Sequence, residues 1–170
     1  QAGILSWGQD LDHEHNPFQC NLGYQVSLSG KGEWNKQSDY IGKEALEKMK
    51  QQLKNGEKPY KLQLVGLELA GGKPIEDYAN DFYLISNSKG GKPVGYITSP
   101  WYHPEKKTNI AMGYVPFEGN LNNNGFPIGN FGKKYKVHLP KKYSSKPVDA
   151  TVVPIPFTES FHANTRETKK

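Results

Sequence analysis

The feature that most limits the fold is a succession of short apolar segments that fills the chain from Pro59 onward. Clusters of glycine, asparagine and serine separate these segments, and those at residues 88–91 and 122–125 are typical of tight turns. No helical pattern comes between the segments, so neighbouring ones are expected to pair as antiparallel strands. The sequence therefore predicts a small barrel or sandwich, with strands at residues 60–69, 82–86, 93–98, 109–115, 135–139 and 148–153.

The first predicted strand changes the phase of its apolar residues halfway along. Leu62 and Leu64 fall on one face, whereas Val65, Leu67 and Leu69 fall on the other. Because the side-chain period of a strand is two, this change predicts a β-bulge or a strong bend at residues 64–65.

Two amphipathic segments precede the strands. Residues 21–28 alternate between apolar and polar and predict a strand, and residues 38–54 predict a helix that ends at Asn55-Gly56. Ser38 or Asp39 is the expected helix cap. Neither segment can bury its apolar face alone, so both are expected to pack on a larger partner. The two apolar faces consist of Leu22, Tyr24, Val26 and Leu28, and of Ile41, Ala45, Leu46, Met49 and Leu53.

Composition restricts the partners and the location. The net charge of +5 comes almost entirely from lysine, because Arg166 is the only arginine. Nucleic-acid-binding proteins rely on the bidentate guanidinium, so no nucleic-acid partner is predicted. The single cysteine, Cys20, excludes an internal disulfide and favours a reducing cytoplasm. No apolar run reaches the roughly 18 residues of a membrane-spanning helix, so no membrane partner is predicted.

Residues 3–17 concentrate an aromatic residue, three acids and two histidines in a turn-prone segment. His13 and His15 could share one face of an extended segment, but no third ligand lies at metal-site spacing, so no metal site is predicted. Asp10, Asp12 and Glu14 either offset a bound cation or cap the turns that lead to Asn16-Pro17.

Five motifs resemble the aminomethyltransferase family, which includes the T-protein of the glycine cleavage system. They keep the order and spacing of that family and together cover residues 3 to about 157. The motifs are WGQDLD with NP at residues 7–12 and 16–17, YIGKEAL at 40–46, LVGL at 64–67, GYITS at 95–99 and NIAMGYV at 109–115.

The resemblance implies a fold class of α+β, mainly β, in which this chain is the C-terminal half of a longer protein. Residues 1–56 would be a strand-helix segment that ends a folate-binding domain, residues 57–160 the antiparallel C-terminal β-barrel, and residues 161–170 a flexible tail. Tetrahydrofolate would be the cofactor, and the N-terminal half of the protein would be the partner. The aspartate that faces the folate would lie upstream of Gln1, so no catalytic residue is expected here. A homodimer is a further option.

Within the family, residues 101–104 (WYHP) and the absence of an arginine cluster make the chain most similar to members that demethylate dimethylsulfoniopropionate. The expected activity is thus methyl transfer from this sulfonium to tetrahydrofolate, which gives 5-methyltetrahydrofolate and methylthiopropionate. One alternative is the aminomethyltransferase of the glycine cleavage system, which needs a lipoyl carrier protein and releases ammonia. A second alternative is a non-catalytic β-barrel that binds a ligand, for example single-stranded nucleic acid.

The resemblance also suggests two groups of site residues. Trp7, Gly8 and Asp10 would bind the substrate, because Trp7 replaces a tyrosine that often faces the substrate in the family and an indole face can bind a sulfonium cation. Trp7 could instead be a core anchor, and Gly8 could simply form a turn. Trp101, Tyr102 and His103 would lie in a loop after the strand at residues 96–99, where they would either contact the folate or close the barrel end.

Overall fold

The computed structural model describes residues 2–26, 28 and 39–157. Six antiparallel strands close into a barrel in the order β1-β4-β3-β2-β5-β6, and one α-helix precedes them. The prediction of a mainly β fold is therefore confirmed, and the barrel replaces the alternative of a sandwich. The helix is α1 (Lys43–Lys54), and the strands are β1 (Leu62–Ala70), β2 (Tyr83–Asn87), β3 (Pro93–His103), β4 (Thr108–Pro116), β5 (Lys134–Val137) and β6 (Val148–Val153).

Alternation along the strands fills the interior of the barrel with apolar side chains. Glycine at two positions lets β3 and β4 approach closely, because a Cβ at Gly95 would lie 2.1 Å from the carbonyl oxygen of Tyr114, and one at Gly113 would lie 2.6 Å from that of Tyr96. The buried interior includes Leu67, Leu69, Ile85, Ile97, Ala111, Tyr135, Val137, Ala150 and Val152.

Strand β1 is buried on both faces, and this explains its change of phase. It pairs with β4 without a register shift from Leu62 to Leu69, so the predicted bulge at residues 64–65 is wrong. Val65 faces the barrel core, whereas Leu64 faces a second cluster outside the barrel. That outer cluster consists of Leu64, Ile110, Met112, Tyr114 and Phe157, with Leu5, Leu62, Tyr96, Val153 and Ile155 packed against it.

The irregularities of the sheet lie elsewhere. The register shifts between Ile85 and Ser86 in the pairing of β2 with β3, and between Ile97 and Ser99 in the pairing of β3 with β4. Strand β3 then continues to His103, so the predicted loop at residues 101–104 is wrong for its first three residues. They remain in the strand because Trp101, Tyr102 and His103 pair with Ile110, Asn109 and Thr108.

The segment at residues 21–28 differs from the predicted strand, since Gly23–Gln25 form a 3-10 helix. Gly23 is buried there, and a Cβ on it would lie 2.8 Å from ring atoms of Phe18 and Phe126. The period-two spacing indicates a strand here, but the chain forms a short helical turn whose Gly23 packs against two phenylalanine rings. Residue 27 lies outside the described residues.

Helix α1 is five residues shorter than predicted and begins at Lys43. Gly42 occupies the N-cap position with a φ of +88°, a left-handed conformation that glycine adopts readily, so Asp39 is not the cap and Ser38 lies outside the described residues. Leu53 is buried against Phe18 and Phe117, with Leu46 and Met49 beside it, whereas Ile41 is fully exposed.

The described chain contains no helix long and apolar enough to cross a membrane. The division at residues 56 and 57 stays a prediction, and residues 161–170 lie outside the described residues.

Candidate functional site

A pocket of about 350 Å³ lies where residues 2–9 pack against the outer face of the barrel. Strands β3 and β4 form its floor, and the segment before the barrel forms one wall. The barrel side of the lining is mainly apolar but includes the hydroxyl side chains of Thr98 and Ser99. The lining residues include Ile4, Gln9, Tyr78, Ser99, Trp101, Met112 and Phe157.

Asp10 attaches the wall to the barrel. Its side chain is buried, with 2% exposed. One carboxylate oxygen accepts hydrogen bonds from the hydroxyls of Thr98 and Ser99, both at 2.6 Å, and the other accepts one from the backbone N–H of Ser6 at 2.9 Å. Asp10 therefore joins the segment before the barrel to strand β3, almost ninety residues further along the chain.

Tyr114 supports Asp10 from the outer cluster beneath it. Its hydroxyl donates to the backbone carbonyl of Asp10 at 2.7 Å and lies 3.4 Å from the Sγ atom of Cys20. Burial raises the pKa of both the Tyr114 hydroxyl and the Cys20 thiol. Cys20 is thus a buried neutral thiol, which agrees with a structural role and not with that of a nucleophile.

Gln9 connects three parts of the pocket. Its amide nitrogen donates to the backbone carbonyl of Thr98, and its amide oxygen accepts a hydrogen bond of 3.1 Å from the hydroxyl of Tyr78. Tyr78 belongs to the connection between β1 and β2, and both residues line the pocket. This bridging position gives Gln9 a fixed orientation at the pocket edge.

Trp7 and Gly8 form the exposed turn next to the pocket. Gly8 has a φ of +83° and lies in a turn that the N–H groups of Gln9 and Asp10 close by donating to the carbonyl of Ser6, at 3.3 and 2.8 Å. Trp7 is 70% exposed, so it is not a core anchor, and it lies outside the pocket lining. Its predicted contact with the substrate stays a prediction.

The second predicted group of site residues lies on β3, and its members have different environments. Trp101 is 47% exposed and lines the pocket. His103 is buried and accepts a hydrogen bond at Nδ1 from the backbone N–H of Lys106, while the backbone N–H of Tyr102 donates to the carbonyl of Ile75. Only Trp101 of these three side chains therefore lines the pocket.

Asp12 pairs with His15 away from the pocket. The Oδ1 atom of Asp12 accepts the backbone N–H of Glu14 at 2.9 Å and lies 2.8 Å from Nδ1 of His15. These two hydrogen bonds lower the pKa of the Asp12 carboxyl. In the part of the chain that the structure describes, no three His, Cys, Asp or Glu residues come together as a metal site.

Several residues of this site were not predicted from the sequence. Gln9, Thr98 and Ser99 lie inside the WGQD and GYITS motifs, so motif membership was an available signal for them. Tyr78 had no such signal, because it reaches Gln9 only through the path of the connection before β2.

A family profile matches residues 63–158 and is described as the glycine cleavage T-protein C-terminal barrel domain. This match covers more than half of the chain and includes all six strands except the first residue of β1.

Individual relatives agree with the profile. An aminomethyltransferase of Synechocystis sp. is 32% identical over 142 residues, which are 84% of this chain and 33% of that protein. One of Thermosynechococcus vestitus is 32% identical over 158 residues, which are 92% of this chain and 34% of that protein. The crystal structure of glycine cleavage system aminomethyltransferase T from Bartonella henselae shares the fold, with a TM-score of 0.62 at 22% identity over 93% of this chain and 36% of that one. The chain thus spans about a third of the length of these relatives.

Proposed function

The chain belongs to the glycine cleavage T-protein family through its C-terminal barrel domain, and we propose that it is the C-terminal part of a tetrahydrofolate-dependent aminomethyltransferase. Relatives that carry this name match most of the chain, including the segment before the barrel. The N-terminal, folate-binding part of the protein, which the sequence predicts as one half and which is about two thirds of the length of the relatives, is the proposed partner of this chain.

The observation that carries the proposal is that two parts of the chain form the pocket together. Residues 2–9 and strands β3 and β4 form it together, so the barrel presents a binding surface only with the preceding segment in place. Its volume of about 350 Å³ lies near the lower limit of small-molecule sites. Trp101 offers an aromatic face, and Gln9 and Ser99 offer polar atoms. This lining suits one ring system of tetrahydrofolate.

In this proposal the described residues bind and orient, and they do not transfer protons. Tetrahydrofolate, when bound, supplies the nitrogen that accepts the one-carbon unit. Trp101 would hold a ring by stacking, and Gln9 would fix its edge by hydrogen bonding. Such alignment of reacting groups can supply a large part of a rate enhancement.

The donor of the one-carbon unit separates two candidate functions. The names of the relatives favour an aminomethyl group. In the glycine cleavage alternative, a lipoyl carrier protein would bring this group and ammonia would be released. Demethylation of dimethylsulfoniopropionate is the second candidate, and the exposure of Trp7 favours it. A permanent cation binds well over an exposed indole face, which contributes about 0.5–2 kcal/mol.

The two candidates are distinguished by assaying the complete protein with tetrahydrofolate and each donor in turn. Ammonia released from the aminomethyl-loaded carrier supports the first, and 5-methyltetrahydrofolate formed from the sulfonium supports the second. A folded complete protein that turns over neither donor would contradict the proposal as a whole.

The role of the pocket is tested with Trp101→Ala in the complete protein. Loss of one stacking contact should raise the KM for tetrahydrofolate about tenfold, which corresponds to about 1.4 kcal/mol. Phe131→Ala is the matched control, since Phe131 is a similarly exposed aromatic outside the pocket. Equal KM values for the two variants would show that Trp101 does not contact the folate.

A further inference from the structure

We infer that the buried carboxylate of Asp10 is a positioning group, which holds the turn at residues 7–9 against strand β3 so that the pocket has a preformed wall. The sequence predicts Asp10 as a substrate-binding residue; its carboxylate is buried and already hydrogen-bonded, which favours a role in holding the turn. The consequence for ligand binding rests on the proposed function, whereas the consequence for the turn does not.

The first support is the environment of the charge. Burial of a carboxylate is costly unless hydrogen bonds or a counter-charge replace water. Within the described residues, the ion pairs involve Asp12, Glu68, Asp77, Glu118 and Asp149, and none involves Asp10. Three hydrogen bonds must therefore replace the water that the carboxylate loses on burial, so the loss of any one of them should be costly.

The second support is the irregularity of β3 where it meets Asp10. Successive side chains of a regular strand point to opposite faces, so neighbouring hydroxyls cannot normally reach one acceptor. The register shift between Ile97 and Ser99 changes this, and both Thr98 and Ser99 donate to the same oxygen of Asp10. The bulge thus places two hydroxyl groups where both can donate to one carboxylate oxygen.

The third support is what Asp10 holds. Its backbone N–H donates to the carbonyl of Ser6 at 2.8 Å, and its carboxylate accepts the N–H of Ser6, so residues 6–10 form a closed loop. Gln9 and Trp7 project from this loop, Gln9 into the pocket lining and Trp7 beside it. Without the Asp10 carboxylate the loop would lose its attachment to Thr98 and Ser99 and the bond from the N–H of Ser6, and would keep only the backbone bond between residues 10 and 6 and the contacts of Gln9.

Hydrogen–deuterium exchange of the complete protein tests the anchor. In Asp10→Ala, amides of residues 6–10 should exchange at least about tenfold faster, because an anchored loop opens more often when its hydrogen bonds are removed. Amides of β1 should exchange at the wild-type rate. Asp149→Ala is the matched control, since it removes an exposed carboxylate on β6 and should leave residues 6–10 unchanged.

Asp10→Asn should recover most of the lost protection. Its amide oxygen can accept the N–H of Ser6, and its amide nitrogen can donate to the hydroxyls of Thr98 and Ser99. Thr98 can then donate to the carbonyl of Met112, which lies 3.2 Å away. Should Asp10→Ala fail to fold, Ser99→Ala removes one of the three hydrogen bonds and should accelerate exchange about threefold.

Kinetics separate positioning from general stabilisation. In Asp10→Ala the KM for tetrahydrofolate should rise about tenfold while kcat changes less than about threefold, because the anchor acts on folate binding by holding Gln9 at the pocket edge. Unchanged exchange at residues 6–10 would overturn the inference, as would faster exchange with an unchanged KM. If the wild-type protein turns over neither donor, the proposed function fails and the exchange rates alone decide whether Asp10 is the anchor.

Discussion

Asp10 and Asp12 are two positions apart but have different environments. Asp10 is buried against β3 and accepts hydrogen bonds from two hydroxyls and an amide. Asp12 lies at the surface of the same segment, where the N–H of Glu14 and the ring of His15 lower the pKa of its carboxyl. Two acids of one motif therefore have different roles, and tertiary contacts decide which acid is the anchor.

At this scale we predict that Tyr114→Phe destabilises the protein by about 1–2 kcal/mol. The change removes the hydroxyl that donates to the carbonyl of Asp10 and leaves that buried carbonyl without this donor. Urea unfolding measures the difference. The matched control is Tyr24→Phe, because Tyr24 is exposed and its hydroxyl contacts only the side chain of Gln25 among the hydrogen bonds described. Equal stability of the two variants would contradict the prediction.

At the scale of secondary structure, the strands match their predicted bounds better than the helix does. Five of the six barrel strands begin and end within two residues of their predicted positions, whereas β3 extends five residues further than predicted. Helix α1 uses only part of its apolar stripe, since the chain turns at Ile41-Gly42 before the first helical residue. Ile41 thereby points to solvent while Leu53 is buried.

For this element we predict opposite outcomes at the two ends of the stripe. Leu53→Ala should cost about 2–4 kcal/mol, because it leaves a cavity beside Phe18 and Phe117. Ile41→Ala should change the free energy of unfolding by less than about 0.5 kcal/mol, because the side chain is fully exposed. Denaturant unfolding of both variants measures this. A large loss of unfolding free energy in Ile41→Ala would mean that Ile41 is buried in the folded protein and would contradict the prediction.

On the scale of the whole molecule, the barrel carries a second apolar layer on its outside. Leu5 and Ile155 pack over Leu64, Ile110 and Phe157, so the segment before the barrel and the residues after β6 cover the same face. The pocket lies at the edge of this layer. The candidate site therefore depends on the packing of two parts of the chain, and not on the barrel alone.

We predict that a chain starting at residue 57 still folds but exposes this outer layer. All six strands remain paired, so cooperative unfolding should persist, with lower stability than the longer chain. The uncovered apolar face should bind a hydrophobic dye such as anilinonaphthalene sulfonate. Calorimetry and dye fluorescence measure the two effects, and the 170-residue chain is the control. Loss of a cooperative transition would place the domain boundary before residue 57.

Much of the fold was predictable, but little of the site was. Strand positions follow from local alternation, which each segment carries in itself. The extension of β3 to His103 depends on pairing with β4, and the phase change in β1 depends on burial of both faces, so neither is a local property. Among the predicted site residues, Trp101 lines the pocket, while Tyr102 and His103 do not.

By itself the sequence determined the mainly β class, the order of the strands along the chain and the family, because periodicity, turn residues and motif spacing are local and are read directly. The tertiary structure decided which residues of the segment 3–17 meet the barrel. Asp10 became an anchor because the bulge in β3 turns two hydroxyls toward it. Trp7 stayed in solvent because Gly8 turns the chain there. Such contacts join residues about ninety positions apart, and no local pattern encodes them.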